Sequence, residues 1–233
     1  AVRGHGVVVS ERNAQVAAQL AEDPAIRIAS NQEVLDATGI VILCLRPQIA
    51  PGILEKLRFR ADHAIVSVMA GVSRAELEEY CAPAANITQT IPLGFLETGG
   101  CPLPAFPSAD VLAGLFAPDN PVFPVVSEQA LNLHFAICAL VPGILEILAT
   151  GSDWLGEATG DPESAAFYTQ QLTTGFLSSL PDGRPRRLAE ERDALATEGT
   201  LSLQMVEALR SAGVPASIRD ALTAIGERLD AAK

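Results

Sequence analysis

The residues of this 233-residue chain best suited to chemistry stand just after apolar runs. VVVS at 7–10 is followed by Glu11 and Arg12, VILCL by Arg46, Pro47 and Gln48, IVSVM by Ala70, Gly71 and Val72, and NITQTI by Pro92. A carboxylate accepts hydrogen bonds from sugar hydroxyls, and a guanidinium pairs with phosphate. Ala70 and Gly71 carry so little side chain that a flat ring can lie against their backbone. Pro47 holds the chain rigid and leaves carbonyls facing outward. Asn31 suits either a helix cap or a ligand contact. Each also has a plain structural reading: solvent-facing polar residues, a strand stop, a tight turn.

The elements that must position these residues alternate. Strand patterns at VVVS, IRIAS, GIVILCL, HAIVSVM and NITQTIP are separated by helical patterns, two of which open with capping boxes, Ser30–Glu33 and Ser73–Glu76. Alternation of this kind predicts βαβ units and a parallel sheet, with ligands outside the carboxyl ends of its strands. Residues 93–126 are rich in Gly and Pro and predict loops with one or two further strands and short helices. From 127 the chain reads as helical. The expected domains are therefore an α/β domain over 1–126 and a helical domain over 127–233. In the last helix Pro215 suits the first turn, and Ile218, Leu222, Ile225 and Leu229 form an apolar stripe. PDGRPRRLAEERD reads as a charged turn and linker.

A dinucleotide-binding fold carries G-x-G-x-x-G between its first strand and first helix. Here GHG at 4–6 precedes a strand instead of following one. The order of elements fits a fold entered at its second strand. The natural protein is therefore expected to have roughly 20 or more residues upstream, the length a strand, turn and helix need.

Net charge is −12, which disfavours nucleic acid or an anionic membrane as main partner. The composition, 48% hydrophobic and 19% charged, allows a sizeable core. Four cysteines without a C-x-x-C pair point to a reducing cytoplasm, and three scattered histidines give no metal-ligand spacing. ALNLHFAICALVPGILEILATG is long and apolar, but it contains Asn132, His134, Pro142 and Glu146. The expectation is a buried core helix and not a membrane span.

SNQEVLDATGIVILCLRPQ, AIVSVMAGVSRAELEEY and TEGTLSLQMVEALRSAGVPASIRDALTAIGERL resemble pyrroline-5-carboxylate reductase, in the right order through nearly the whole chain. The resemblance implies a Rossmann-like parallel-sheet domain, lacking its first βα unit here, and an all-α C-terminal dimerisation domain. It also implies NADP or NAD as cofactor, a small-molecule substrate, and a homodimer or higher homo-oligomer. Glu11 and Arg12 fall where the family meets the adenosine ribose, and Asn31 matches a cofactor-contacting asparagine. Cys44, Leu45, Arg46 and Pro47 match Ala-Val-Lys-Pro, and Met69, Ala70 and Gly71 match Ala-Ala-Gly beside the nicotinamide.

The family's substrate positions are altered. Met-Pro-Asn-Thr-Pro is Ile91–Phe95 here, Ser-Gly-Ser-Gly is Cys138–Val141, and Pro-Gly-Gly-Thr-Thr is Thr197–Leu201. Leucine thus replaces the second threonine. Thr200, one residue early, and Asp193, where the family has asparagine, are the candidate proton donors beside water. Thr200 also suits a helix N-cap. The related 3-hydroxyacid dehydrogenases use a lysine of the helical domain; the only lysines here, Lys56 and Lys233, are not placed for that. The expected function is an NAD(P)H-dependent reduction of a small cyclic imine or related C=N or C=O compound. The alternative is a dinucleotide-binding protein without turnover.

Overall fold

The computed structural model describes residues 4–11, 13–180 and 186–230. The chain forms two compact units, one of residues 1–136 and 226–233, the other of residues 137–225. Helix begins at Glu128, beside the expected boundary, but the compact division falls later, and the end of the last helix belongs to the first unit.

The first unit is Rossmann-like α/β. Its strands are β1 (Val7–Ser10), β2 (Ile26–Ala29), β3 (Ile40–Leu43), β4 (Ala64–Ser67), β5 (Asn86–Thr90), β6 (Leu103–Phe106) and β7 (Val122–Pro124). Between them run α1 (Ala14–Leu20), α2 (Asn31–Ala37), α3 (Ala50–Leu54), α4 (Arg74–Tyr80) and α5 (Asp110–Phe116). The five strands expected from hydrophobic runs lie where the sequence places them. Both capping boxes form: Ser30 and Ser73 accept the N–H of Glu33 and Glu76, whose carboxylates return to the cap N–H groups.

The strands make two sheets. β1 and β2 pair in parallel, and the larger sheet has the order β3-β4-β5-β6-β7. Within it the expected strands β3, β4 and β5 run parallel, β6 runs antiparallel to β5, and β7 runs parallel to β6. The main core lies on one face of β3–β5, where Val41, Leu43, Ile65 and Ile87 pack with Leu35, Leu54 and Leu77 from α2, α3 and α4. On the other face Val66, Ala105 and Leu112 form a smaller cluster. His63 is structural: it is fully buried, with Nε2 3.0 Å from the Leu35 carbonyl and Nδ1 accepting the Arg60 N–H at 3.1 Å.

The long apolar stretch is not one helix. α6 (Glu128–Ile137) stops before Cys138, and α7 (Leu140–Thr159) starts anew. Proline has no N–H to donate and its ring clashes with the preceding turn, so a helix tolerates it in its first turn. The restart puts Pro142 there. Nor is α7 a buried core helix: only Gly156 is buried, while Val141, Leu145, Ile147 and Trp154 are exposed. By length and composition alone residues 128–159 are apolar enough to cross a membrane, with mean hydropathy 1.9.

α7 packs on α8 (Pro162–Ser179) as a helical hairpin. Gly160, at φ 73°, ends α7, and Asp161 caps α8 by accepting the Ser164 N–H at 3.0 Å. A Cβ at Gly156 would stand 3.0 Å from the Pro162 Cα, so this close approach excludes a side chain. α9 (Arg187–Leu195) occupies much of the expected linker, braced by an Arg187–Glu191 ion pair one helical turn apart. α10 (Leu201–Ser211) and α11 (Val214–Asp230) follow, separated at Gly213, whose φ is 75°.

Candidate functional site

Strand register builds one edge of the α/β unit. Leu43 lies beside Ser67, and Ser67 beside Gln89, so the carboxyl ends of β3, β4 and β5 are level. The segments that continue from them, Cys44–Pro47, Val68–Gly71 and Thr90–Pro92, therefore emerge together. The sequence candidates Cys44, Leu45, Arg46, Pro47, Met69, Ala70 and Gly71 all belong to these segments. In the small sheet Ser10 lies beside Ala29, so Glu11 and Asn31 also leave level strand ends. Arg12 lies outside the described residues.

Local chemistry shapes each segment. Pro47 begins a single 3-10 turn, and the Arg46 carbonyl accepts the N–H groups of Ile49 and Ala50, both at 3.1 Å. That carbonyl is therefore satisfied internally, while the Arg46 side chain is exposed. Met69 is buried and its N–H donates to Ser67 Oγ at 3.3 Å. Gly71, at φ 76°, occupies the left-handed region that favours glycine, and it turns the chain into α4. Desolvation by its neighbours pushes the Cys44 thiol above its ordinary pKa, although the residue as a whole is exposed.

A polar network that sequence reading missed holds the turn after β4. Gln89 Nε2 donates to the Val72 carbonyl at 3.0 Å and to Glu128 Oε1 at 3.2 Å, and the same carboxylate oxygen accepts the Arg74 N–H at 2.6 Å. Glu128 thereby sits at the N-terminus of α4, where a negative charge is favoured. The available signal was the polar run Thr88–Gln89–Thr90 inside a predicted strand. Among the described residues, two buried oxygens at this strand end, Gln89 Oε1 and Thr90 Oγ1, have no protein partner.

A cleft of about 1070 Å³ in the same unit is lined by Ser10, Asn31, Cys44 and Leu45 together with β1 and β3. Arg46, Pro47 and Met69–Gly71 do not line it. Level strand ends, small residues and unpaired buried acceptors suit a flat, polar-edged ligand. Among the described residues no three His, Cys, Asp or Glu side chains gather to hold a metal.

The two candidate proton donors belong to the second unit and are otherwise engaged. Thr200 is the N-cap of α10: its hydroxyl accepts the Leu203 N–H at 3.2 Å and donates to the Thr197 carbonyl at 2.7 Å. Its capping reading therefore describes what it does here. Asp193 is an exposed residue on α9, paired with Arg192 at 2.7 Å and at 4.0 Å from Arg210. Neither lines the apolar cavity of about 420 Å³ in that unit, which includes Phe176, Leu188 and Met205.

Residues 1–71 match the family described as NADP oxidoreductase, coenzyme F420-dependent. Pyrroline-5-carboxylate reductase 3 of Macaca fascicularis is 38% identical over 65 residues, covering 27% of this chain and 24% of that protein. Its Bos taurus counterpart is 26% identical over 209 residues, covering 84% of this chain and 66% of that one. The matched region thus spans less than two thirds of these curated relatives. Among solved structures, 1-pyrroline-5-carboxylate reductase of Streptococcus pyogenes has a TM-score of 0.81 at 18% identity, covering 98% of this chain and 90% of that one. Plasmodium falciparum pyrroline carboxylate reductase, with NADP bound, has a TM-score of 0.79 at 14% identity, covering 100% and 99%. A reductive aminase of Aspergillus terreus, in complex with NADPH and ethyl-5-oxohexanoate, has a TM-score of 0.57 at 17% identity, covering 99% and 86%.

Proposed function

From a chain that is pyrroline-5-carboxylate reductase-like in sequence and in fold, we propose an NAD(P)H-dependent reductase acting on a small cyclic imine or related C=N or C=O compound. One observation carries the reading: the level carboxyl ends of β3, β4 and β5, which deliver Cys44–Pro47 and Met69–Gly71 to a single edge. That NADP and NADPH are bound by structures of similar fold supports the cofactor class.

When bound, the cofactor supplies the hydride, and the protein's contribution is orientation. Ala70 and Gly71 leave room for the ring. Glu11 and Asn31 address the ribose end, and the Gln89–Glu128 bridge keeps the turn after β4 in place. The proton comes from water, from Asp193, or from Thr200 once its hydroxyl leaves the Thr197 carbonyl. Two copies associate through the exposed apolar helices of the second unit, in keeping with Trp154 and Phe167, each 68% exposed. Net charge and four free thiols support a cytoplasmic protein with neither nucleic acid nor membrane as partner.

Titration with NADPH and NADH, followed by turnover with pyrroline-5-carboxylate and a panel of imines and small carbonyl compounds, tests the proposal. Gly71→Val should weaken cofactor binding at least tenfold, because it adds bulk and strains a positive φ. Absence of binding for both nucleotides would reject the reading. A second reading, dinucleotide binding without turnover, is favoured by one observation: Leu201 replaces a substrate-binding threonine and the neighbouring Thr200 is committed to a cap. Tight binding with no turnover on the whole panel selects it.

A further inference from the structure

The segment that continues β5 leaves the same edge as Met69–Gly71, one strand away and so about 4.8 Å further along the sheet. It reads IPLGFLET at 91–98 and carries one formal charge, the negative one of Glu97. Its shape is fixed by local bonds. The Leu93 N–H donates to Sγ of the fully buried Cys101 at 3.4 Å, and the Leu93 carbonyl accepts the Leu96 N–H at 3.0 Å. Thr98 donates twice to the Phe95 carbonyl, from its N–H at 3.0 Å and from its hydroxyl at 2.8 Å. Asn120, itself buried, accepts the Cys101 N–H at 2.9 Å and donates to the Leu96 carbonyl at 3.3 Å. Phe95 therefore stands on a braced turn, with 43% of its surface exposed.

This turn has little to offer an anion. The N–H groups of Leu93, Leu96 and Thr98 and the Thr98 hydroxyl are spent inside the fold. Val68–Gly71, after β4, carries no charge. The Arg74 guanidinium at the start of α4 is engaged, with Glu78 at 2.9 Å and the Ile87 carbonyl at 2.7 Å. Arg46 leaves β3, two strands and about 10 Å from β5. A carboxylate brought beside β5 therefore loses water and meets the like charge of Glu97, with no cation of the turn to pair it. A ring without a carboxylate meets the reverse. Phe95 offers it apolar surface, and a protonated imine is drawn both to an aromatic face and to the acid.

We propose that this edge selects an imine or iminium that carries no carboxylate, with Phe95 packing on its ring and Glu97 turning anions away. The inference rests on the reductase reading and narrows it: among small C=N compounds it assigns the neutral and cationic ones to this chain. Phe95 and Glu97 determine specificity and take no part in moving hydride or proton. The bracing by Cys101 and Asn120 matters because a ring held in place before binding loses little freedom when the substrate arrives.

The test gives the full chain NADPH or NADH and compares 1-pyrroline with pyrroline-5-carboxylate, two rings that differ by the carboxylate alone. kcat/KM should be about tenfold or more higher for 1-pyrroline. Glu97→Lys should shift that ratio about threefold or more toward the carboxylate at low ionic strength. Phe95→Ala should raise KM for 1-pyrroline about fivefold with kcat little changed, and Phe95→Tyr should restore it. Where neither ring turns over, calorimetry with nucleotide present decides: pyrrolidine should bind about tenfold or more tighter than proline. Equal or better use of pyrroline-5-carboxylate, equal or tighter binding of proline, a ratio unmoved by Glu97→Lys, or a KM unmoved by Phe95→Ala overturns the proposal. Each of these is read with nucleotide bound and leaves the reductase reading standing, whereas failure to bind either nucleotide ends both.

Discussion

Leu77 on α4 and Phe167 on α8 are both apolar residues of regular helices, yet Leu77 is fully buried and Phe167 is 68% exposed. The contrast extends to their units. In the α/β unit, clusters that include helices lie on both faces of β4 and close a core. In the helical unit α8 buries only Ala165, and α9 and α10 bury nothing. α10 presents Leu201 and Met205 to solvent at 85% and 62% exposure. A sheet covered on both faces can complete its own core, whereas a short run of helices has too few neighbours to cover every apolar stripe. The first unit thus buries apolar helix faces of the kind that the second leaves exposed.

Several substitutions break or sharpen this contrast. The largest effect is expected at Leu77→Ala, which should cost about 2–5 kcal/mol in urea unfolding. Leu172→Ala on exposed α8 should cost under about 0.5 kcal/mol in dilute, dissociated protein. Equal losses would end the distinction. Next, Phe167→Asp combined with Leu172→Asp should weaken self-association at least tenfold in sedimentation while leaving the far-ultraviolet spectrum intact. A wild-type chain that stays monomeric at high concentration would show the exposed face to serve another purpose.

Smaller effects separate capping from catalysis. Thr200→Ala should cost about 1 kcal/mol through loss of the α10 cap, and Thr200→Ser should restore it. If kcat falls more than 100-fold in the alanine variant without a matching change in KM, Thr200 also handles a proton. The smallest effect concerns acid. Hydrogen bonds from Ser164, side chain first and then backbone, hold the Asp161 carboxyl below its ordinary pKa of 3.8. Its contribution to the helical unit is therefore complete above that value and lost as pH falls through the lower, folded pKa. Asp161→Asn should flatten that part of an acid titration of Tm, and the α/β unit should not respond to the change.

How much was legible follows the range of each interaction. Ser30 with Glu33 and Ser73 with Glu76 are three residues apart, so composition and spacing suffice to find both boxes. The five hydrophobic strands and their order are equally local, and the motif series led to the fold that the solved reductases share. Other features required distant partners. Gln89 joins Val72 and Glu128 across 17 and 39 positions, and no window along the chain contains that bridge. The antiparallel β6 and the division between β2 and β3 depend on which edges meet. The break before α7 was written in Pro142, but the apolar run hid it.

Sequence by itself determined the strands, the helix starts and the residues at the strand ends, because backbone preference and short-range hydrogen bonds act over a few residues. Tertiary structure decided which ends are level, which strand edges pair among the described residues, and that Thr200 is held as a cap. It also decided that the most apolar helix is left uncovered. Those outcomes depend on which segments compete for the same burial, and that competition is settled only when the whole chain packs.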